Sequence, residues 1–176
     1  MESHAPDHTF VICAYKDSEY LEPLIESLLA QTVSSKILVS TSTPVESIYN
    51  TAKKYDLPVH VNPVSGGGIG SDWNFAYSLA DTDFVTLAHQ DDFYEPEYTE
   101  KMTAALAKAK NPIIAYTNYY EIRPEGIVIN NRLLRIKRMM NRPIGLLSAY
   151  CSRLLMAFLI RRRFRFPPRV SARITR

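Results

Sequence analysis

The sequence predicts an α/β domain built on a mainly parallel sheet flanked by helices. Three observations carry that expectation. Short apolar runs alternate with stretches at helical spacing, the pattern of right-handed βαβ units. The polar clusters fall directly after apolar runs, where an open parallel sheet places its ligand crevice. Finally, 176 residues at 46% hydrophobic and 22% charged suit one globular core, and exclude disordered and collagen-like classes.

The elements follow in order. His8–Tyr15 is an apolar, β-rich run too short for a helix and reads as a buried strand. Leu21, Leu24, Ile25, Leu28 and Leu29 recur at helical spacing, with Glu22 and Glu26 on the other face. Lys36–Ser40 is a second strand, and Pro44 opens a helix running to about Tyr55. Pro58–Val61 is a third strand, followed by a glycine-rich loop at 65–70. A helix from Ser71 to Ala80 comes next, with Ser71 or Asp72 placed to cap it. Asp83–Ala88 is a fourth strand, 96–110 a helix, and 112–117 a fifth strand.

The charges are unevenly shared. Residues 1–125 hold 8 Lys and Arg against all 18 acids, whereas 126–176 hold 13 Lys and Arg and no acid. The apolar run 144–160 is only 17 residues long and carries Arg153, so a buried or interface-lying helix is predicted and not a membrane span. Arg161–Arg176 holds 7 basic residues without periodicity and reads as a disordered Arg/Pro-rich tail. An acidic body argues against a continuous basic face, so no nucleic-acid partner is expected. The two cysteines, Cys13 and Cys151, lie in apolar runs and read as buried free thiols. With no signal peptide in the opening residues, the expected location is cytoplasmic.

Candidate chemistry sits in four clusters: Ala14–Asp17, Ser40–Thr43, the glycine loop, and His89–Asp92. Gly66, Gly68 and Gly70 fit neither a dinucleotide fingerprint nor a phosphate loop. Such a loop can donate backbone N–H groups to an anion, or serve as a plain surface turn. Asp91 and Asp92, with Glu95 near, make either a hard-oxygen pocket for Mg²⁺ or Mn²⁺ or a turn leading into the next helix. His89 alone reads as a structural histidine more often than as a ligand, and its place in the same tetrapeptide makes the two readings even.

The order AYKD, SLLAQT, then DWNFAYSLADTDFVTLAHQDD resembles the family 2 glycosyltransferases of the GT-A fold, over roughly residues 8–125. The resemblance implies a nucleotide-diphospho-sugar transferase-like, Rossmann-like domain at 1–125, a partial continuation at 126–160, and incompleteness at the C-terminus. It implies metal-dependent transfer of a sugar from a nucleotide-diphosphate donor to a glycan or lipid-linked acceptor. Donor binding then falls to Ala14, Tyr15, Asp17, Ser40, Gly68, Asn74, His89, Gln90 and Asp91, with Asp91 and His89 at the Mn²⁺ or Mg²⁺.

Three departures stand out. His89 replaces the first aspartate of the Asp-x-Asp motif, Ser40-Thr41-Ser42 replaces an aspartate that contacts the base, and Trp73 replaces an arginine. Inverting members use a downstream carboxylate as general base, and no acid follows Glu125, so no catalytic base is assigned. A non-catalytic nucleotide-sugar binder is the alternative expectation. The basic C-terminus adds an expected peripheral contact with the inner face of a membrane.

Overall fold

The computed structural model describes residues 7–64 and 66–109, then 115, 117, 120–123, 126–132, 135 and 136. They fall into two compact units, one reaching 117 and the other starting at 118.

The first unit alternates strand and helix throughout: β1 His8–Ala14, α1 Leu21–Leu29, β2 Lys36–Thr41, α2 Glu46–Lys54, β3 Val59–Val61, α3 Gly68–Ser78, β4 Phe84–His89 and α4 Tyr98–Lys108. The strands form one sheet in the order β3-β2-β1-β4, and every pair is parallel. The sheet is the α/β class expected. The predicted fifth strand falls almost wholly outside the described residues.

β1 lies between β2 and β4, and its alternating side chains enter two cores. Phe10, Ile12 and Ala14 pack with Leu24, Ile25 and Leu28 of α1, Ile48 of α2, and Tyr98 and Met102 of α4. Val11 packs on the other face with Leu38, Val85 and Ala76 of α3. Phe10, Val11 and Ile12 are fully buried, which is why the strand reads as a continuous apolar run. Burying each such side chain contributes about 1.5–3 kcal/mol.

Several boundaries differ from the sequence-based ones. The helix expected from Pro44 begins at Glu46, and the one expected from Pro96 begins at Tyr98. The helix expected from Ser71 begins earlier, at Gly68, with Gly67 as its cap and no side-chain cap bond. Part of the presumed glycine loop is therefore helix. Gly67 is required there, because a Cβ would stand 2.5 Å from the Ser71 Cβ. Asp72, expected as a cap, instead accepts hydrogen bonds from Ser42 and Asn62.

The last turn of α1 and the first of α4 are tied by one buried amide. Gln31 Oε1 accepts from the Thr99 backbone N–H at 2.9 Å and from its hydroxyl at 3.1 Å. Its Nε2 donates to the carbonyls of Ser27 at 3.0 Å and Glu95 at 2.9 Å. Gln31 thus caps α4 from a distant part of the chain, doing what its own N-cap residue Glu97 does not. We expect Gln31→Leu to lower stability by about 2 kcal/mol, the upper range for a lost cap. A urea midpoint equal to the wild type's would refute this.

At the amino edge of the sheet, His8 Nδ1 lies 2.9 Å from Ser35 Oγ and Nε2 lies 2.8 Å from Thr86 Oγ1. Thr86 continues to Tyr98 Oη at 3.1 Å. Burial holds the His8 imidazole down at about 4.

In the second unit, β5 (Glu121–Arg123) and β6 (Gly126–Val128) pair antiparallel. Gly126 has φ +127, a conformation only glycine adopts without strain. Asn131 Nδ2 donates to Glu121 Oε2 at 3.0 Å. The sequence reading missed this pair, although Pro and Gly close together in the sequence at 124 and 126 are a turn signal. The apolar run 144–160, Cys151 and the tail 161–176 lie outside the described residues. Among the described residues, no helix is long and apolar enough to cross a membrane.

Candidate functional site

The strand order reverses direction at β1. The chain runs outward from β1 through β2 to β3, then returns to the other side of β1 for β4. The crevice between the carboxyl ends of β1 and β4 is therefore the switch point at which open parallel sheets bind ligands. The register pairs Cys13 with His89, so Tyr15–Asp17 and Gln90–Asp92 leave the sheet side by side.

The Gln90 side chain bridges that crevice. Gln90 Oε1 accepts from the Tyr15 backbone N–H at 2.8 Å, and Gln90 Nε2 donates to the Tyr15 carbonyl, also at 2.8 Å. Both polar ends of the amide engage one residue's main chain. The turn is also pinned from β2: the Lys16 N–H donates to Thr43 Oγ1 at 2.6 Å. Thr43 is held in turn by its own N–H donating to Thr41 Oγ1 at 3.0 Å. Between the pins Lys16 adopts φ +56, a left-handed conformation that costs a non-glycine residue about 1–3 kcal/mol. Ser47 donates a short hydrogen bond to Asp17 Oδ1.

α3 reaches over this edge at two points. Asp72 Oδ2 accepts from Ser42 Oγ at 2.9 Å, and Oδ1 accepts from Asn62 Nδ2 at 2.8 Å. One residue on, the Trp73 indole meets the His89 ring edge-on, with centroids 5.1 Å apart. The helix thereby joins the ends of β2, β3 and β4. Cys13 lies beneath. It is free but partly exposed, a correction to its expected full burial. Desolvation and the Asp72 carboxylate push its thiol up to about 12, so it is no nucleophile at neutral pH.

The expected site residues are distributed unevenly. Tyr15, Asp17, His89, Gln90 and Asp91 stand at the switch point, with Tyr15, Asp17 and Asp91 exposed. Ala14 and Ser40 are buried strand residues, and Ser40 lies within β2 in register with Cys13. Gly68 opens α3 with φ +71, and Asn74 is exposed nearly two turns further along that helix. Asn62 was missed altogether. It is buried, its Oδ1 accepts from the Val64 N–H at 3.0 Å, and its N–H donates to the Thr41 carbonyl at 2.8 Å. Its place directly after a short strand and before Pro63 was the available signal.

Among the described residues, no three His, Cys, Asp or Glu side chains converge closely enough to hold a metal ion by themselves. Mg²⁺ needs no such cage where one or two carboxylates and substrate phosphates share its coordination. An exposed Asp91 at the crevice fits that second arrangement.

The chain is 28% identical to a hyaluronan synthase of Pasteurella multocida over 134 residues, which make up 73% of this chain and 14% of that protein. It is 29% identical to a chondroitin synthase of Pasteurella multocida (strain Pm70) over 125 residues, 68% of this chain and 13% of that one. The chain thus spans only about a seventh of these relatives. The crystal structure of S. aureus TarS superposes with a TM-score of 0.56 at 20% identity, over 62% of this chain and 21% of TarS. The TarS 1-349 fragment in complex with UDP matches at the same score and identity, over 62% of this chain and 35% of the fragment. These structures share the fold. The description of glycosyl transferase family 2 matches residues 9–161, most of the sequence, and the chain belongs to that family.

Proposed function

We propose that this chain binds a nucleoside-diphosphate sugar in the β1/β4 crevice and serves its transfer to an acceptor hydroxyl. The observation that carries the reading is the convergence of Tyr15–Asp17 and His89–Asp91 at the switch point of the sheet. Family membership supports glycosyl transfer, and the UDP bound to TarS 1-349 supports a uridine nucleotide as the first donor to test.

In this reading Tyr15 and Asp17 meet the base and ribose. Asp91 offers a carboxylate oxygen to Mg²⁺ or Mn²⁺, with His89 beside it. The cation, when bound, neutralises diphosphate charge as the bond to the sugar breaks. Gly68 at the start of α3 and Asn74 in its middle face the same donor, and residues 1–125 form the donor-binding domain. The acceptor is a glycan or a lipid-linked saccharide, and the basic C-terminal residues meet the inner face of a membrane.

A second reading is binding without turnover. In this reading the 176 residues supply donor binding alone, and the carboxylate that takes the acceptor's proton is not among the residues after Glu125. A transfer assay with UDP-sugars and oligosaccharide acceptors separates the two.

A thermal-shift panel of UDP, GDP, CDP and dTDP, each with and without Mn²⁺, tests the donor site. One nucleotide is expected to raise the melting temperature with Mn²⁺ present, and Mn²⁺ alone is expected to leave it unchanged. A flat response to all four would refute the reading.

A further inference from the structure

We propose that Gln90 is a positioning residue of the donor site: it holds the Tyr15–Lys16 turn in its binding-ready shape and does not touch the donor itself. The proposal rests on the reading of this crevice as a donor site. Gln90 stands between the two residues assigned to the metal end, yet its amide faces away from that task. Oε1 and Nε2 both bond the main chain of Tyr15, 75 residues distant, at 2.8 Å each. Hydrogen bonds of that length are fully formed. A side chain that satisfies both backbone groups of one residue fixes the orientation of the two peptide units on either side of it as well as their location.

The turn needs such fixing. Lys16 sits at φ +56, where a non-glycine residue does not rest unless its surroundings hold it. Its N–H is held by Thr43 from the β2 side, so the two pins bracket the turn from the two strands that flank β1. The exposed Tyr15 ring, with Lys16 Nζ 5.2 Å from its centre, is carried on this bracketed backbone. A turn preorganised in the free protein loses little freedom when a ligand arrives. Without the pins, that ordering falls on the binding step.

The test uses the full chain, UDP and Mn²⁺. Gln90→Met keeps the length of the side chain and removes both hydrogen bonds. At saturating Mn²⁺, the UDP dissociation constant read by calorimetry is expected to rise about tenfold or more, the scale of lost preorganisation. At saturating UDP, the Mn²⁺ concentration for half-saturation, read by electron paramagnetic resonance, is expected to stay unchanged. A purely structural glutamine would move the melting temperature and neither constant. Thr43→Val cuts the second pin and is expected to give the same pattern, which carries the test if Gln90→Met does not fold. An unchanged UDP affinity overturns the proposal. So does a loss confined to Mn²⁺ half-saturation, which would place Gln90 at the metal end. If the wild type binds no UDP, the donor reading itself fails and this one with it.

Discussion

Asp91→Ala is expected to abolish the Mn²⁺-dependent part of the stabilisation that UDP gives the fold. At a ligand concentration about 100 times its dissociation constant, that stabilisation amounts to about 2.7 kcal/mol. For a chain of this size it appears as a rise of about 5–10 °C in melting temperature. The argument is one of ligand supply. Among the described residues no three ligating side chains gather, so a cation must take most of its coordination from the diphosphate and water. The protein's share then rests on one exposed carboxylate at the end of β4. Removing it leaves metal and nucleotide with no common anchor. A shift that survives Asp91→Ala would move the assignment to Asp92 or Glu95, and Asp91→Asn separates loss of charge from loss of an oxygen.

The second large effect is a loss of stability in mild acid, centred on His8. Unfolded, its imidazole takes up a proton near 6.5, but folded it does so only near 4. Between those values the unfolded chain binds more protons, so stability falls as the pH is lowered through this window. Above 6.5, His8 adds no slope. The full effect is about 3 kcal/mol, reached near pH 4. Burial is the cause, since Ser35 and Thr86 offer hydroxyls that can accept from either ring nitrogen but carry no charge to meet a cation. His8→Gln retains polar contacts and cannot titrate. Urea midpoints of both proteins between pH 7 and 4.5 provide the check. Parallel pH slopes would show that His8 contributes none of the acid sensitivity.

The order of elements was legible because parallel strands buried on both faces appear as unbroken apolar runs. β1, β2 and β4 each fell within a residue or so of their expected ends, and α1 showed its apolar stripe plainly. Helix starts were less legible. Glycines at 66–68 read as a loop because propensity is local, whereas α3 begins where Gly67 clears Ser71. The start of α4 is fixed by Gln31, more than sixty residues away in the chain, and no local signal at Pro96 could reveal that. The same limit applies at the candidate site. Strand ends could be placed from the sequence, and with them the clusters at 15–17 and 89–91. Which side chains meet there depends on register and rotamer. Gln90 read as a donor contact beside Asp91, and only the paired strands show its amide engaged with Tyr15. Asn62 and Asp72 went unrecognised as partners for a similar reason, since β3 and α3 converge only in the folded chain.

Trp73 is the one tryptophan in the sequence, and its ring rests against His89 where α3 crosses the end of β4. That placement gives the protein an optical reporter of its own. Light absorbed by indole alone comes back from a single location, a neighbour of the proposed phosphate end, with no contribution from the hydrophobic core. An imidazole at 5.1 Å is close enough to change that emission when it is displaced. Arrival of a ligand can therefore be followed without a label, in the same cuvette, and in variants at Gln90 or Asp91 that leave the indole in place.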